Sequence, residues 1–307
     1  MKPILVAGEL NIDYVLSGVD ELPVHGGEIL ASGFLQTPGS SSMICAMGLA
    51  RLGNPVRFAG RTGRDDRGDT CVSALAEAGI DTHGIVRDGA LATGATVVLS
   101  GLRDRALVTF PGAIAALKAE DIDDAVLAGA GHLHVSSYFL QAGMQPGLAA
   151  LFERARRAGI TTSLDPGFDP AQAWMGDWTA LLSRVDVFLP NEIEACAIAG
   201  HGDAVEALHI LSSYGARVVI KRGAVGCITL DEGAVVRVPA FMSAVIDTTG
   251  AGDSFDAGFL HAWLRGMELV QVLRWASACG SLSTRGVGGT TAQATAGEVR
   301  VLLADTP

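Results

Sequence analysis

The chain has 307 residues, 49% of them hydrophobic and 18% charged, and a formal net charge of −11. That length and apolar share suit one large domain with a buried core and exclude a disordered polymer. The acidic balance, with lysines only at positions 2, 118 and 221, argues against a nucleic-acid partner, because phosphate backbones are gripped by clustered Lys and Arg.

Short β-branched runs at 4–8, 132–137, 160–165, 185–190 and 217–223 predict strands. Between them, helical patterns cover 41–52, 68–78, 146–158 and 202–214, each closed by a glycine within a residue or two. Strand and helix in alternation predict a mostly parallel sheet with helices on both faces, an α/β fold whose ligands sit beyond the carboxyl ends of the strands. Two segments break the rhythm, with lid strands expected from about 11–37 and 93–111. Each reads as a strand pair, the second turning around a tip at 101–105, and together they predict a small β-sheet lid on a single domain spanning 1–307. The first apolar run breaks at Gly8 and Glu9, and no stretch approaches about 18 apolar residues. With five scattered cysteines and no CxxC, the expectation is a cytoplasmic protein, without a membrane partner, in a reducing compartment.

The stretch from Val245 to Gly266, VIDTTGAGDSFDAGFLHAWLRG, carries the most chemistry. Gly250 and Gly252 allow a tight turn with converging N–H groups, and a helix predicted from about 251 to 264 adds the positive end of its dipole. Such an entrance is an anion hole, and an aspartate at its mouth, Asp253, is placed to accept a proton from an attacking alcohol. By residue type alone Asp253 serves equally well as a helix cap. Near the N-terminus, Asn11 and Asp13 read either as turn formers or as groups that orient a polyol through its hydroxyls. Glu192 and Glu194 read, on residue type alone, as first-turn helix acids.

DTTGAGDSFDAGF resembles the C-terminal signature of the ribokinase-like, or PfkB-type, carbohydrate kinases, DTTGAGDSFxAGF, without a break. The resemblance implies a ribokinase-like three-layer α/β/α fold and ATP-dependent phosphoryl transfer to a hydroxyl of a sugar or related polyol. It implies that Gly250, Ala251 and Gly252 form the anion hole, that Asp253 is the catalytic base, and that Asp247 and the carbonyl of Thr249 hold K+. GELNID with HGGE resembles the first substrate segment, bringing in Asn11 and Asp13. PGSSSMICAMGLARLG resembles the second, with Gly39 kept, Ser40 at the second glycine and Ile44 where a sugar-binding Asn is usual. FLPNEIEA supplies the NxxE pattern as Asn191 and Glu194, which implies Mg2+ near the nucleotide. IKRGAVG resembles the nucleotide segment, with Gly223 and Gly226 matching and Lys221 at the usual Thr. DPGFDP departs from DPN at Gly167, and Ser277 stands where Asn is frequent in the segment that closes over adenine. The resemblance also implies a homodimer through the lid.

The substrate expectation is a free sugar or closely related polyol, with a nucleoside as the alternative within the fold. Two readings compete from other classes. A GDS-type serine hydrolase built on Ser254 would need a later histidine as base, and only His261, seven residues along, follows it. A non-catalytic sugar-binding protein would be favoured by loss of Asp253, which is present. A dinucleotide or Walker-A site lacks its glycine pattern.

Overall fold

In the computed structural model, which describes residues 1–101 and 105–306, the first strand, β1 (Ile4–Gly8), is buried at every position. Ile4 and Val6 pack into one core, Leu5 and Ala7 into another. Side chains alternate across a strand, so an unbroken apolar run is stable only between two covering layers.

The later strands are β2 (Asn11–Ser17), β3 (Gly33–Gly39), β4 (Val56–Gly63), β5 (Asp81–Asp88), β6 (Gly94–Ser100), β7 (Arg105–Phe110), β8 (His132–Val135), β9 (Thr161–Leu164), β10 (Val187–Phe188), β11 (Arg217–Lys221), β12 (Cys227–Asp231) and β13 (Ala234–Val238). Nine form one sheet in the order β13-β12-β11-β10-β9-β8-β1-β4-β5, parallel except at one end, where β12 runs antiparallel to both β11 and β13. The others form a second sheet, β3-β2-β6-β7. Its β2–β3 and β6–β7 pairs are antiparallel, but β2 and β6 join in parallel, because the chain returns from β3 only after crossing the large sheet. Of the predicted tip at 101–105, residues 102–104 lie outside the described residues. The strand expected over 185–190 shortens to β10, since Pro190 has no N–H to continue a ladder.

The helices are α1 (Ser41–Arg51), α2 (Asp66–Glu77), α3 (Asp124–Leu127), α4 (Leu148–Arg157), α5 (Trp178–Leu182), α6 (Glu192–Ala199), α7 (Ala204–Ser212), α8 (Ala251–Trp263), α9 (Leu269–Ser283) and α10 (Ala296–Asp305). Helices α1, α2, α8, α9 and α10 share the core of Ile4 and Val6, whereas α3 to α7 share that of Leu5 and Ala7. Full burial of each Leu, Ile or Phe in these layers contributes roughly 1.5–3 kcal/mol.

Helix α8 is held by close helix contacts. A Cβ on Gly258 would lie 2.7 Å from Cys279 Sγ in α9, and one on Gly48 of α1 would lie 2.9 Å from the Cβ of Ala257. A larger residue at Gly258 would force α8 and α9 apart, at the ~1–3 kcal/mol that overpacking costs. Cys279 is thus a packing residue, and this packing fixes where the N-terminus of α8 lies.

Candidate active site

The entrance to α8 is built by a carboxylate that folds the turn before it. Asp247 Oδ1 accepts from Thr249 N (2.9 Å) and Thr249 Oγ1 (2.8 Å), while its Oδ2 accepts from Gly288 N (2.8 Å). Asp247 is buried, and among the described residues no basic side chain pairs with it. Gly250 adopts φ 72°, and a Cβ there would lie 2.7 Å from Gly289 Cα, so both conformation and space demand glycine. Ala251 N–H bonds Thr248 O, and the first i to i−4 bond runs from Ser254 N–H to Gly250 O at 2.9 Å. The amides of Gly252 and Asp253 precede that bond, at the positive end of the helix. Among the described residues a Cβ on Gly252 would meet only Lys221, with Nζ 3.5 Å away, so the space beside Gly252 is otherwise clear.

Asp253 stands at this entrance, where Ser41, at the start of α1, helps to favour its ionised form. Its pKa is pushed up to about 7 by burial and by the charge of Asp165, against the pull of Lys221. Carboxylate oxygens of Asp165, Asp253 and Asp256 lie within 4.8 Å of one another. Among them sits Lys221 Nζ, 2.6 Å from Asp165 Oδ2 and 3.1 Å from Asp256 Oδ1. Burial opposes the ammonium, but Asp165 and Asp256 outweigh it and hold Lys221 well above the ordinary lysine range. Burial likewise opposes ionisation of Asp165, and Lys221 reverses the balance to hold that carboxyl below its usual range, whereas burial leaves Asp256 raised well above it.

The second sheet brings Asn11, Asp13 and Gly39 to the same entrance. Asn11 pairs with Gly39 across β2 and β3, and a Cβ on Gly39 would fall 2.1 Å from Asp13 Oδ1. The carboxylate therefore occupies the space that glycine leaves. Its pKa is pushed up to about 7, first by burial and then by Asp253. Asn11 Nδ2 donates to Thr96 Oγ1 at 2.7 Å, and its buried Oδ1 has no hydrogen-bond partner among the described residues. Arg105 of β7 donates to Thr248 Oγ1 at 2.7 Å, tying the second sheet to the signature turn. Ser40, at φ 69°, caps α1: its hydroxyl donates to Glu9 O at 2.7 Å and accepts from Met43 N at 3.2 Å. Ile44 packs on the glycine loop, and a Cβ on Gly289 would lie 2.3 Å from its Cδ1.

On the far side of Lys221, Asn191 and Glu194 cap α6 reciprocally, Glu194 N–H to Asn191 Oδ1 at 2.9 Å and Asn191 N–H to Glu194 Oε2 at 2.8 Å. The box uses Oε2 and leaves Oε1. Burial and the nearby Asp165 push Glu194 up to about 8. A carboxylate under that strain, with an oxygen to spare, suits a hard divalent cation. Asn191 forms a parallel bridge with Lys221, which leads into the turn of Gly223 (φ 54°) and Gly226 (φ 106°). A Cβ on Gly226 would lie 2.0 Å from Val238 O, so that turn presses on β13. Ser277 is buried in α9, its hydroxyl 3.7 Å from Cys227 Sγ.

The family model described as pfkB family carbohydrate kinase matches residues 1–296. The chain belongs to that family. It is accordingly a carbohydrate kinase, a phosphotransferase with an alcohol group as acceptor. This pfkB kinase is 32% identical to the ATP-dependent ribose-1-phosphate kinase of Halopiger xanaduensis, over 99% of each chain. Among solved structures it resembles Thermotoga maritima ribokinase (26% identity, TM-score 0.84, 99% of this chain and 100% of that one). It also resembles the Xylella fastidiosa fructokinase solved with bound ATP (27% identity, TM-score 0.83, 99% of each). The ribokinase-like fold expected from the signature is the fold observed.

The hydrolase reading finds no support in the geometry. Ser254 is buried and accepts from Gln293 Nε2, while His261 Nδ1 bonds Asn54 Nδ2 and its ring stacks on Trp275. Sequence reasoning left out Glu9, Asp165 and Asp256. Glu9 is buried and accepts from Ser42 Oγ at 2.5 Å and Ser42 N at 3.1 Å, which braces α1. The one visible signal for the other two is Lys221, a charge at the usual threonine of a motif that otherwise matches, since Asp256 fills the variable position of the signature.

Proposed function

We propose that this pfkB kinase transfers the γ-phosphoryl group of ATP to a hydroxyl of a sugar or related polyol, with Asp253 as the base. The observation that carries the reading is one carboxylate at a helix entrance, beside amides that precede the first intrahelical bond, with Asp13 facing the same space. Asp13 and Asn11 orient the acceptor, Asp13 through its carboxylate and Asn11 through Oδ1, with Gly39 making room and Ser40 setting the start of α1. The chosen hydroxyl lies against Asp253, which takes its proton as oxygen attacks phosphorus. Gly250, Ala251 and Gly252 form the anion hole for the transferring group, with the amides of Gly252 and Asp253 left to donate, where fixed dipoles act without reorganising.

ATP lies across Gly223 and Gly226, with Asn191, Lys221 and Ser277 in the same segment of the site. Mg2+ near Asn191 and Glu194 would screen phosphate charge there. Asp247, buried without a basic partner among the described residues, and the carbonyl of Thr249 suit K+. The second sheet acts as a lid, built from 11–37 and 93–111, on a single domain of 1–307. Phe34 of β3 and Val108 and Phe110 of β7 are exposed apolar side chains on its edge strands, which supports a homodimer through this face. All five cysteines are free, in keeping with a cytoplasmic setting, and no helix among the described residues is long and apolar enough to cross a membrane.

A coupled ADP-release screen tests the reading, run over free sugars, sugar acids, nucleosides and ribose 1-phosphate, the last from the name of the Halopiger relative. Sugar-dependent ADP release is the expected result. Release with nucleosides alone would move the acceptor class to the alternative, and no release with any acceptor would overturn the proposal.

A further inference from the structure

Lys221 reaches an unusual place for an ammonium. At the carboxyl end of β11 its Nζ donates to Asp165 Oδ2 at 2.6 Å and to Asp256 Oδ1 and Oδ2 at 3.1 and 3.2 Å, with a tenth of the side chain exposed. The clamp is itself fixed. Asp165 Oδ1 accepts from Gly167 N at 2.8 Å, possible because Gly167 takes φ 64°, and Asp256 is wholly buried in α8. Buried ion clusters of this kind rarely repay their desolvation, and uncharged residues of similar volume are often as stable or more so. Stability alone therefore gives no account of a lysine at the usual threonine of one motif held by an aspartate at the variable position of the other.

Position gives one. An ammonium has three donors, and the two carboxylates account for two. The same Nζ lies 3.5 Å from where a Cβ on Gly252 would sit, at the start of α8. We propose that Lys221 is a phosphate-binding residue of this kinase, donating its third N–H to an oxygen of the γ-phosphate held at the α8 entrance, with Asp165 and Asp256 as its positioning residues. The inference rests on the reading of that entrance as the phosphoryl site, and it assigns Lys221 to the reacting end of the nucleotide. During transfer the bond from phosphorus to the sugar oxygen forms as the bond to the ADP oxygen breaks. ADP leaves with the bonding electrons, and the hydroxyl proton goes to Asp253. The peripheral phosphoryl oxygens stay anionic throughout, so a cation locked beforehand by two carboxylates stabilises them without moving.

The test compares ligands that differ only at the γ position. Titration calorimetry with ADP and with the non-hydrolysable AMP-PNP, both with Mg2+, gives the preference for the γ-phosphate. Removing Lys221 alone would strand buried carboxylates, so the double variant K221Q/D256N removes both charges together. We expect its preference for AMP-PNP over ADP to fall about tenfold to a hundredfold, the range for a hydrogen bond to a charged group, with ADP affinity little changed. D256N alone keeps the ammonium and should keep most of the preference. An unchanged preference in the double variant, or equal weakening of both ligands, would overturn the inference. K221T/D256A is the second neutral variant, and failure of both doubles to fold would mark the cluster as structural and overturn it too. Asp253→Asn separates this from the underlying reading: if that variant turns over normally the site assignment fails, whereas if it is slow and the doubles keep their preference, only the role of Lys221 fails.

Discussion

Asp253 is the proposed base, and its surroundings set a pH window. Held at about 7 by burial and Asp165, it is half protonated near neutrality in the ligand-free protein, so turnover should rise as pH climbs through about 7. The same shift is a statement about stability. A carboxyl whose folded pKa is raised favours the fold fully below its unfolded value near 4, and loses that contribution as pH rises to about 7. Asp253→Asn has no charge to bury, so thermal melts should show the variant gaining on the parent between pH 5 and pH 8, and an equal gap at both would refute the assignment. Asp13 allows a second test. Because a Cβ on Gly39 would overlap its carboxylate, Gly39→Ala should displace Asp13 and raise KM for the sugar far more than KM for ATP; equal effects on both would contradict its role. At this scale the entrance was legible in the sequence because Gly250, Gly252 and Asp253 act within one turn. The clamp on Lys221 was not, since Asp165 and Asp256 come from 56 and 35 positions away, and no local pattern reports such a meeting.

At the scale of elements, α8 is a dipole aimed by packing. Gly258 against Cys279 and Gly48 against Ala257 set its angle, and the loop before it is folded around Asp247. Gly252 is helical and nearly contact-free, so Gly252→Val should fold but project its methyls over the free amides. Binding of AMP-PNP should then weaken more than binding of ADP, and normal AMP-PNP affinity would show that the phosphate lies elsewhere. Asp247, saturated by three donors yet lacking a basic partner among the described residues, predicts higher turnover in potassium than in an equal concentration of choline; indifference to the cation would remove that role. Helices α1, α2, α4, α7 and α8 were readable from their apolar spacing and glycine stops, to within two or three residues, whereas α3, α5, α6, α9 and α10 were given no bounds. The parallel join of β2 and β6 was not readable, because strand periodicity reports which face is buried and is silent on which neighbour lies alongside.

The whole molecule follows from the alternation of Ile4 and Val6 with Leu5 and Ala7, which separates two cores and demands two helical layers. That much is written in residue spacing. The order of the nine strands is not, since it depends on crossovers the pattern does not encode. The architecture then sets the chemistry. Strands β9 and β11 deliver Asp165 and Lys221 to one end of the sheet, α8 delivers Asp253, and β2 of the second sheet delivers Asp13. The most direct measurement is steady-state turnover of Asp253→Asn alongside its affinity for ATP. We predict turnover reduced roughly 10² to 10⁴-fold with ATP affinity preserved, the scale for loss of a general base. Near-normal turnover with intact binding would contradict the account.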